Sequence, residues 1–313
     1  MIAAGLAALV IGGDLLVRGA VDLARRLGVS PLIIGLTLVG FGTSTPELVT
    51  SLQAAFVGSP GIAIGNVVGS NIANILLILG IAALIAPMTI ARASFQRDGL
   101  VLAASALLCL GAVLYGALSL IIGLVFVAGL LAYVAFAIIS ERRRASVTPD
   151  QSEAADAPAT GHIWKDIAFV LAGLLLTIFG ARWLVSGAID IAASLGVSET
   201  IVGLTVVAVG TSLPELVTSF AAARRGQSDI AFGNIVGSNI FNVLFILGVT
   251  ALVHPIAVPP GIASFDIWVM LGATALLILF ACTRWRISRM EGGVLFAGYV
   301  AYTLWLLRAA VSA

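Results

Sequence analysis

Residues 35–51 read GLTLVGFGTSTPELVTS, and residues 203–219 read GLTVVAVGTSLPELVTS. A second pair of blocks keeps the same spacing, GNVVGSNIANILLILG at 65–80 and GNIVGSNIFNVLFILG at 233–248. The offset is 168 in both pairs, with no gap. It extends back to Leu27-Gly28-Val29-Ser30 against Leu195-Gly196-Val197-Ser198, and forward to Asp98 against Asp266. Glycine-rich apolar sequence does not match itself over such lengths by composition alone, so the chain is read as an internal duplication; internal symmetry in membrane folds is usually much weaker.

The medium of that duplication follows from composition. The 313 residues are 60% hydrophobic and 10% charged, with a mean hydropathy of +1.15. Soluble domains lie near about 45–50% apolar and about 25% charged. A membrane-spanning helix takes about 20 residues, so the apolar supply covers about nine or ten of them and leaves little for a water-facing domain. A soluble enzyme is excluded. A net charge of +1 offers no basic footprint for nucleic acid. Cys109 and Cys282 lie in apolar runs, as free packing residues do, and form no disulfide framework or zinc site.

Charged and Pro/Gly breaks divide the chain into ten expected spans, near 2–26, 31–57, 61–85, 97–115, 118–140, 164–194, 200–223, 229–252, 263–283 and 291–309. The first span lacks a basic leader region and reads as a retained helix. The long hydrophilic stretch 141–163, opening on Arg142, Arg143 and Arg144, has the composition of a flexible linker. Two five-helix repeats result, 1–140 and 164–313, with their paired blocks at 35–80 and 203–248. Five spans separate each residue from its copy, so the copies cross in opposite directions as an inverted repeat. With the linker in the cytoplasm, 14 of the 16 Lys and Arg fall inside, and only Arg182 and Arg308 fall outside. The positive-inside rule then places both termini outside, in a multi-pass protein of the plasma membrane, here a prokaryotic inner membrane.

Within the repeats, Glu47 and Glu215 stand inside spans two and seven among apolar neighbours. A charge at the bilayer centre costs about 2.5–3.5 kcal/mol even on the insertion scale. Two carboxylates about 6 Å apart, at an effective dielectric near 20, add roughly 3 kcal/mol of repulsion. No Lys or Arg lies at matching depth, so the missing partner is a proton or a metal cation. A protonated, hydrogen-bonded Glu is the plainer alternative, but it is weakened by the duplication.

Pro46 and Pro214 have no N–H and disfavour helix at the preceding residue. Each span should therefore break there, opening carbonyls near Gly42-Thr43 and Gly210-Thr211. New half-helices should start at Ser44 or Thr45 and at Ser212, with the Glu in the first turn. Ser70 and Asn74, four residues apart, share a helix face, as do Ser238 and Asn242. These four are expected ligands. Gly65, Gly69, Asn66, Asn71 and their copies fit helix packing better. His162 and His254 lie in loops, so the site is all-oxygen, which suits Ca²⁺ or Na⁺.

The GTSxPELVTS and GNxVGSNIxN blocks, in duplicate, resemble the α-repeats of the calcium/cation antiporter superfamily, specifically its sodium/calcium exchanger branch, over essentially the whole chain. The resemblance implies ten helices and electrogenic exchange of several Na⁺ for one Ca²⁺. It also implies alternating access by two peripheral helices sliding over a central bundle. Carried over by position, Glu47 and Glu215 would be shared Ca²⁺/Na⁺ ligands. Thr43, Ser44, Thr211 and Ser212 would ligate through carbonyl or hydroxyl oxygens, Ser70 and Ser238 through hydroxyls, and Asn74 and Asn242 would line the middle of the site. Many members carry Asp at the position of Asn242, which bears on stoichiometry and proton involvement here. Proton/calcium exchangers usually replace the Thr-Ser-x-Pro-Glu sequence, and potassium-dependent exchangers often carry Asp where this chain has Glu215; both rank behind the sodium/calcium reading.

An intramembrane aspartyl hydrolase would need a Gly-x-Gly-Asp sequence that Ile11-Gly12-Gly13-Asp14 misses, and a serine hydrolase a base that no span supplies. The expected protein is a transporter rather than an enzyme. Its substrates are Ca²⁺ and Na⁺ and its surroundings a lipid bilayer, with no cofactor and no obligate protein partner.

Overall fold

The computed structural model describes residues 1–147, 162–194 and 208–312. The fold is almost entirely helical, which is what a chain must do where no water is present to satisfy backbone N–H and C=O groups. In chain order, α1 covers Ile2–Leu27, α2 Pro31–Thr43, α3 Thr45–Phe56 and α4 Pro60–Ile85; the strand β1, Met88–Thr89, precedes α5, Arg92–Tyr115. After β2, Ala117–Leu118, α6 runs Leu120–Val147. The second half has α7 Ile163–Ser194, α8 Ala208–Thr211, α9 Leu213–Arg224, α10 Ser228–Val253, β3 Ile256–Ala257, α11 Ile262–Arg284, β4 Arg286–Ile287 and α12 Arg289–Ser312.

Among the described residues, eight helices are long and apolar enough to cross a membrane, and the α2–α3 pair, bent by 42°, makes a ninth. The expected tenth, near 200–223, begins outside the described residues; α8 and α9 are its described part. The α6 helix runs to Val147 rather than ending near 140, so the first residues of the expected linker continue the helix. Residues 148–161 lie outside the described residues, as do Leu195–Ser198.

The duplication is expressed as antiparallel packing. Helices α1 and α7 run against each other along their length. Gly5 meets Gly180 and Gly12 meets Gly173, with backbones so close that a Cβ at Gly12 would stand 2.9 Å from the Gly173 oxygen. Since Gly173 is the copy of Gly5 and Gly180 the copy of Gly12, the two contacts exchange under the repeat. The same exchange appears in two short ladders: Met88 pairs with Ile287 and Leu118 with Ile256, both antiparallel. Each joins a strand of one repeat to the copied partner in the other. Beyond Asp98 the offset becomes 169, where Gly116 (φ 86°) is matched by Trp285 (φ 51°). Tyr133 then donates to Asp98 at 3.0 Å as Tyr302 does to Asp266 at 2.9 Å. The repeat therefore persists structurally past the point where sequence identity fades.

Two ends of the molecule follow from these contacts. One, the linker end, gathers Arg26 and Asp166 (2.5 Å), β1 with β4, and the Phe95–Phe232 ring pair (centroids 5.5 Å). The other, the terminal end, gathers β2 with β3, Gly61 against Pro259, and Met1 against Gly187. Helices α4 and α10 are the central pair and are mostly buried, whereas α12 is mostly exposed. Outward-facing residues of the peripheral helices are large and apolar, among them Leu100, Leu107, Leu131, Leu279 and Leu304, as a lipid-facing belt requires.

Candidate ion site

Ser44 and Ser212 interrupt their helices with nearly identical backbones, φ −83°, ψ 7° and φ −89°, ψ 8°. Pro46 and Pro214 then sit in the first turn of α3 and α9, where a missing N–H removes no helical bond. The outcome differs from full unwinding. Ser44 N–H still donates to the Gly40 oxygen at 3.1 Å and Leu48 N–H to the Ser44 oxygen at 3.2 Å, so the chain bends at one residue with its ladder largely intact. The expected serine N-cap is absent as well. The Ser44 hydroxyl donates instead to Glu215 Oε1 across the repeat boundary at 3.0 Å. Its copy Ser212 stands beside Glu47, with its hydroxyl buried.

Glu47 and Glu215 are each 1% exposed, in the first turns of half-helices that approach from opposite ends of the bundle. The half-helix N-termini favour negative charge there. Both carboxylates keep one oxygen, Oε2, buried without a hydrogen-bond partner. Asn74 has both amide atoms in that condition and Asn242 its Oδ1. Leaving such a buried group unsatisfied costs about 1–3 kcal/mol, and more for a charge. Here several oxygens share that state in symmetric pairs. A buried set of oxygens of this kind fits a hard cation bound by oxygen.

The other expected residues divide. The Thr43 hydroxyl lies 3.0 Å from the Val39 oxygen and 3.2 Å from Asn234 Oδ1. Thr211 is half-buried. The Ser238 hydroxyl donates to the Gly40 oxygen at 3.4 Å, whereas Ser70 lines a cavity of about 340 Å³ with Thr50, Asn66, Thr211 and Tyr302. That cavity also takes in Gly61 and so leads toward the terminal end. Toward the linker end, α10 packs directly along α2, with Gly35 pressed on Ile230.

Residues expected chiefly to pack helices have more to do. Asn66 Nδ2 donates to the Glu47 backbone oxygen (3.0 Å) and to Ser51 Oγ (2.9 Å). Asn234 repeats this with the Glu215 oxygen (3.3 Å) and Ser219 (2.9 Å). These clamps fix the first turns that carry the carboxylates. Ser51 and Ser219 are additions to the expected set, although the duplicated Glu-x-x-x-Ser spacing puts each serine one turn beyond its Glu. Asn71 is a crossing residue, donating to the Asn239 oxygen at 3.3 Å and accepting from Asn242 Nδ2 at 2.9 Å. Asn74 and Asn242 themselves lie in π-helical turns, 73–79 and 242–247, which no feature of the sequence announces. Among the described residues no group of three or more His, Cys, Asp or Glu is placed to hold a metal ion, so a cation held here would draw on the two carboxylates and neutral oxygens.

Comparison with known proteins gives a consistent result. A family model described as sodium/calcium exchanger protein matches residues 1–139 and 165–308. The sodium/calcium exchanger MaX1 of Methanosarcina acetivorans is 37% identical over 332 residues, covering 95% of each chain. The inner membrane protein YrbG of Escherichia coli is 40% identical over 311 residues, covering 96% of this chain and 93% of its own. A solved structure of the sodium-calcium exchanger NCX_Mj, soaked with zero Na⁺ and Ca²⁺, superposes with a TM-score of 0.83 at 32% identity and 97% coverage of both chains.

Proposed function

Because the chain belongs to the sodium/calcium exchanger family, we propose that it is a secondary active antiporter that exchanges Na⁺ for Ca²⁺ by alternating access. The observation that carries this reading is the pair of buried carboxylates, Glu47 and Glu215, each with an unpartnered oxygen and each brought in by a half-helix from the opposite end of the bundle. Broken helices meeting in inverted repeats are the usual place for a coupled-ion site.

In this reading Glu47 and Glu215 hold the cation. Thr43, Ser44, Thr211, Ser212, Ser70 and Ser238 add hydroxyl or carbonyl oxygens, and Asn74 and Asn242 close the middle. Ca²⁺ takes about six to eight oxygens in flexible geometry, within reach of that set. Two carboxylates neutralise one Ca²⁺, and Na⁺ competes for the same oxygens. The closely packed α1–α7 pair is the element that moves over the core, and the cavity at Ser70 and Thr211 is the route from the terminal end. The protein sits in the prokaryotic inner membrane with its linker in the cytoplasm.

The test is Ca²⁺ uptake into proteoliposomes holding the full chain. An outward Na⁺ gradient drives uptake and moves net charge, without a K⁺ requirement. Glu47→Gln and Glu215→Gln each abolish the exchange while the purified variants remain folded. Near wild-type exchange by either variant removes the site assignment. Uptake driven by a pH gradient alone, with Na⁺ inert, replaces the sodium reading with proton-coupled exchange.

A further inference from the structure

At the linker end, α1, the start of α7 and the loop after α9 enclose a cleft of about 470 Å³. Among the described residues its walls carry Arg18 and Arg25 from α1, Lys165 from α7 and Arg225 from the loop, with Asp22 as the acid. Asp14, at its edge, accepts from Arg18 at 2.9 Å and from Arg225, and Asp22 lies 3.8 Å from Arg25. Four cations thus face two carboxylates, a local charge of +2. Their side chains stay accessible, with Arg18 53%, Arg25 41% and Arg225 34% exposed. Beneath them Val17, Val21 and Phe169 form an apolar floor.

The duplication supplies an internal control. At the repeat-related positions Arg18 is replaced by Ser186, Arg25 by Ala193 and Arg225 by Val57. The same α1–α7 packing is therefore built without these cations, which the fold does not require. The general bias of Lys and Arg toward one membrane face accounts for more cations at this end. It does not account for their convergence, from three separate segments, on one cavity.

We propose that this cleft binds a phosphate-bearing anion, either the headgroup of an anionic phospholipid or a soluble phosphate. Guanidinium groups match phosphate oxygens in bidentate geometry, and basic pockets between membrane helices on the cytoplasmic side suit anionic headgroups. The bound anion would tie the α1–α7 pair to the Arg225 loop, with Arg225 exchanging Asp14 for a phosphate oxygen.

The experiment uses the full chain and the double variant Arg25→Gln/Lys165→Gln. In the first arm, protein is reconstituted in phosphatidylcholine vesicles containing about 20 mol% phosphatidylglycerol, re-extracted in neutral detergent, and its retained phosphatidylglycerol measured by native mass spectrometry. In the second, inorganic phosphate or pyrophosphate is added to lipid-depleted protein and the melting temperature followed. One cation near an anionic surface is worth about five-fold in binding, so the double variant weakens retention by about 25-fold, and Arg25→Lys restores the share lost at position 25. Melting temperature without ligand, and exchange in pure phosphatidylcholine, stay at wild-type levels and separate lost binding from misfolding. Loss confined to the first arm assigns the lipid, and loss confined to the second assigns the soluble phosphate. Equal binding by wild type and variant in both arms overturns the proposal.

Discussion

Asn242 shows how much one side chain decides at this site. Its Nδ2 donates to Asn71 Oδ1 at 2.9 Å, its Oδ1 is unpartnered, and it is 1% exposed. Asn242→Asp removes that donor and leaves a third buried carboxylate facing Asn71. An uncompensated buried charge costs several kcal/mol, on the order of 3–5 where a partner is missing. We therefore expect the Asn242→Asp protein to melt lower in chelator and to regain stability with Na⁺ or Ca²⁺. Na⁺ should inhibit ⁴⁵Ca²⁺ uptake more strongly than in wild type, and uptake should become pH-sensitive. Unchanged Na⁺ inhibition and unchanged melting would mean that position 242 does not face the ion. The two glutamates and their serine and threonine neighbours are legible in the sequence because they are duplicated and no Lys or Arg lies at matching depth in either repeat. The Asn66–Ser51 and Asn234–Ser219 clamps are less so, because an asparagine on a glycine-rich helix face reads equally well as packing, and only the fold shows which backbone oxygen it reaches.

At the scale of elements, the α1–α7 contact has little tolerance. A Cβ at Gly173 would lie 2.5 Å from the Leu16 nitrogen and 2.7 Å from the Gly12 oxygen, both main-chain atoms that no rotamer change can move. Gly173→Ala therefore forces the helices apart, with an overpacking cost of about 1–3 kcal/mol. We expect a lower melting temperature and a slowed exchange rate, while equilibrium Ca²⁺ binding, which the proposed site assigns to the separate α3 and α9 half-helices, stays close to wild type. Loss of Ca²⁺ affinity with an unaltered melting temperature would contradict this division. Helix boundaries here are largely readable from apolar runs and Pro/Gly breaks. The π-helical turns at 35–39, 73–79, 242–247 and 262–266 are not, since a wider turn comes from packing between helices and leaves no residue type as its trace.

For the whole molecule, the opposed repeats predict a topology that labelling can check. Single cysteines placed at Ser146 and Ser312 should differ in intact cells, Ser312→Cys reacting with an impermeant thiol reagent and Ser146→Cys staying protected until the membrane is opened. The reverse pattern would invert the orientation. The duplication, and the parity that follows from it, is legible in the amino-acid sequence itself. The pairing of Met88 with Ile287 and of Leu118 with Ile256 is not, because two-residue strands carry no periodicity. Yet those ladders have a consequence for how the halves depend on each other. Each repeat offers one strand at either end whose mate belongs to the other repeat, so half of this chain, alone, closes neither end. Two identical halves inserted in opposite senses would close both in the same register. The two ladders therefore act as a pair of clasps, each needing one strand from either half, and neither half holds a complete one.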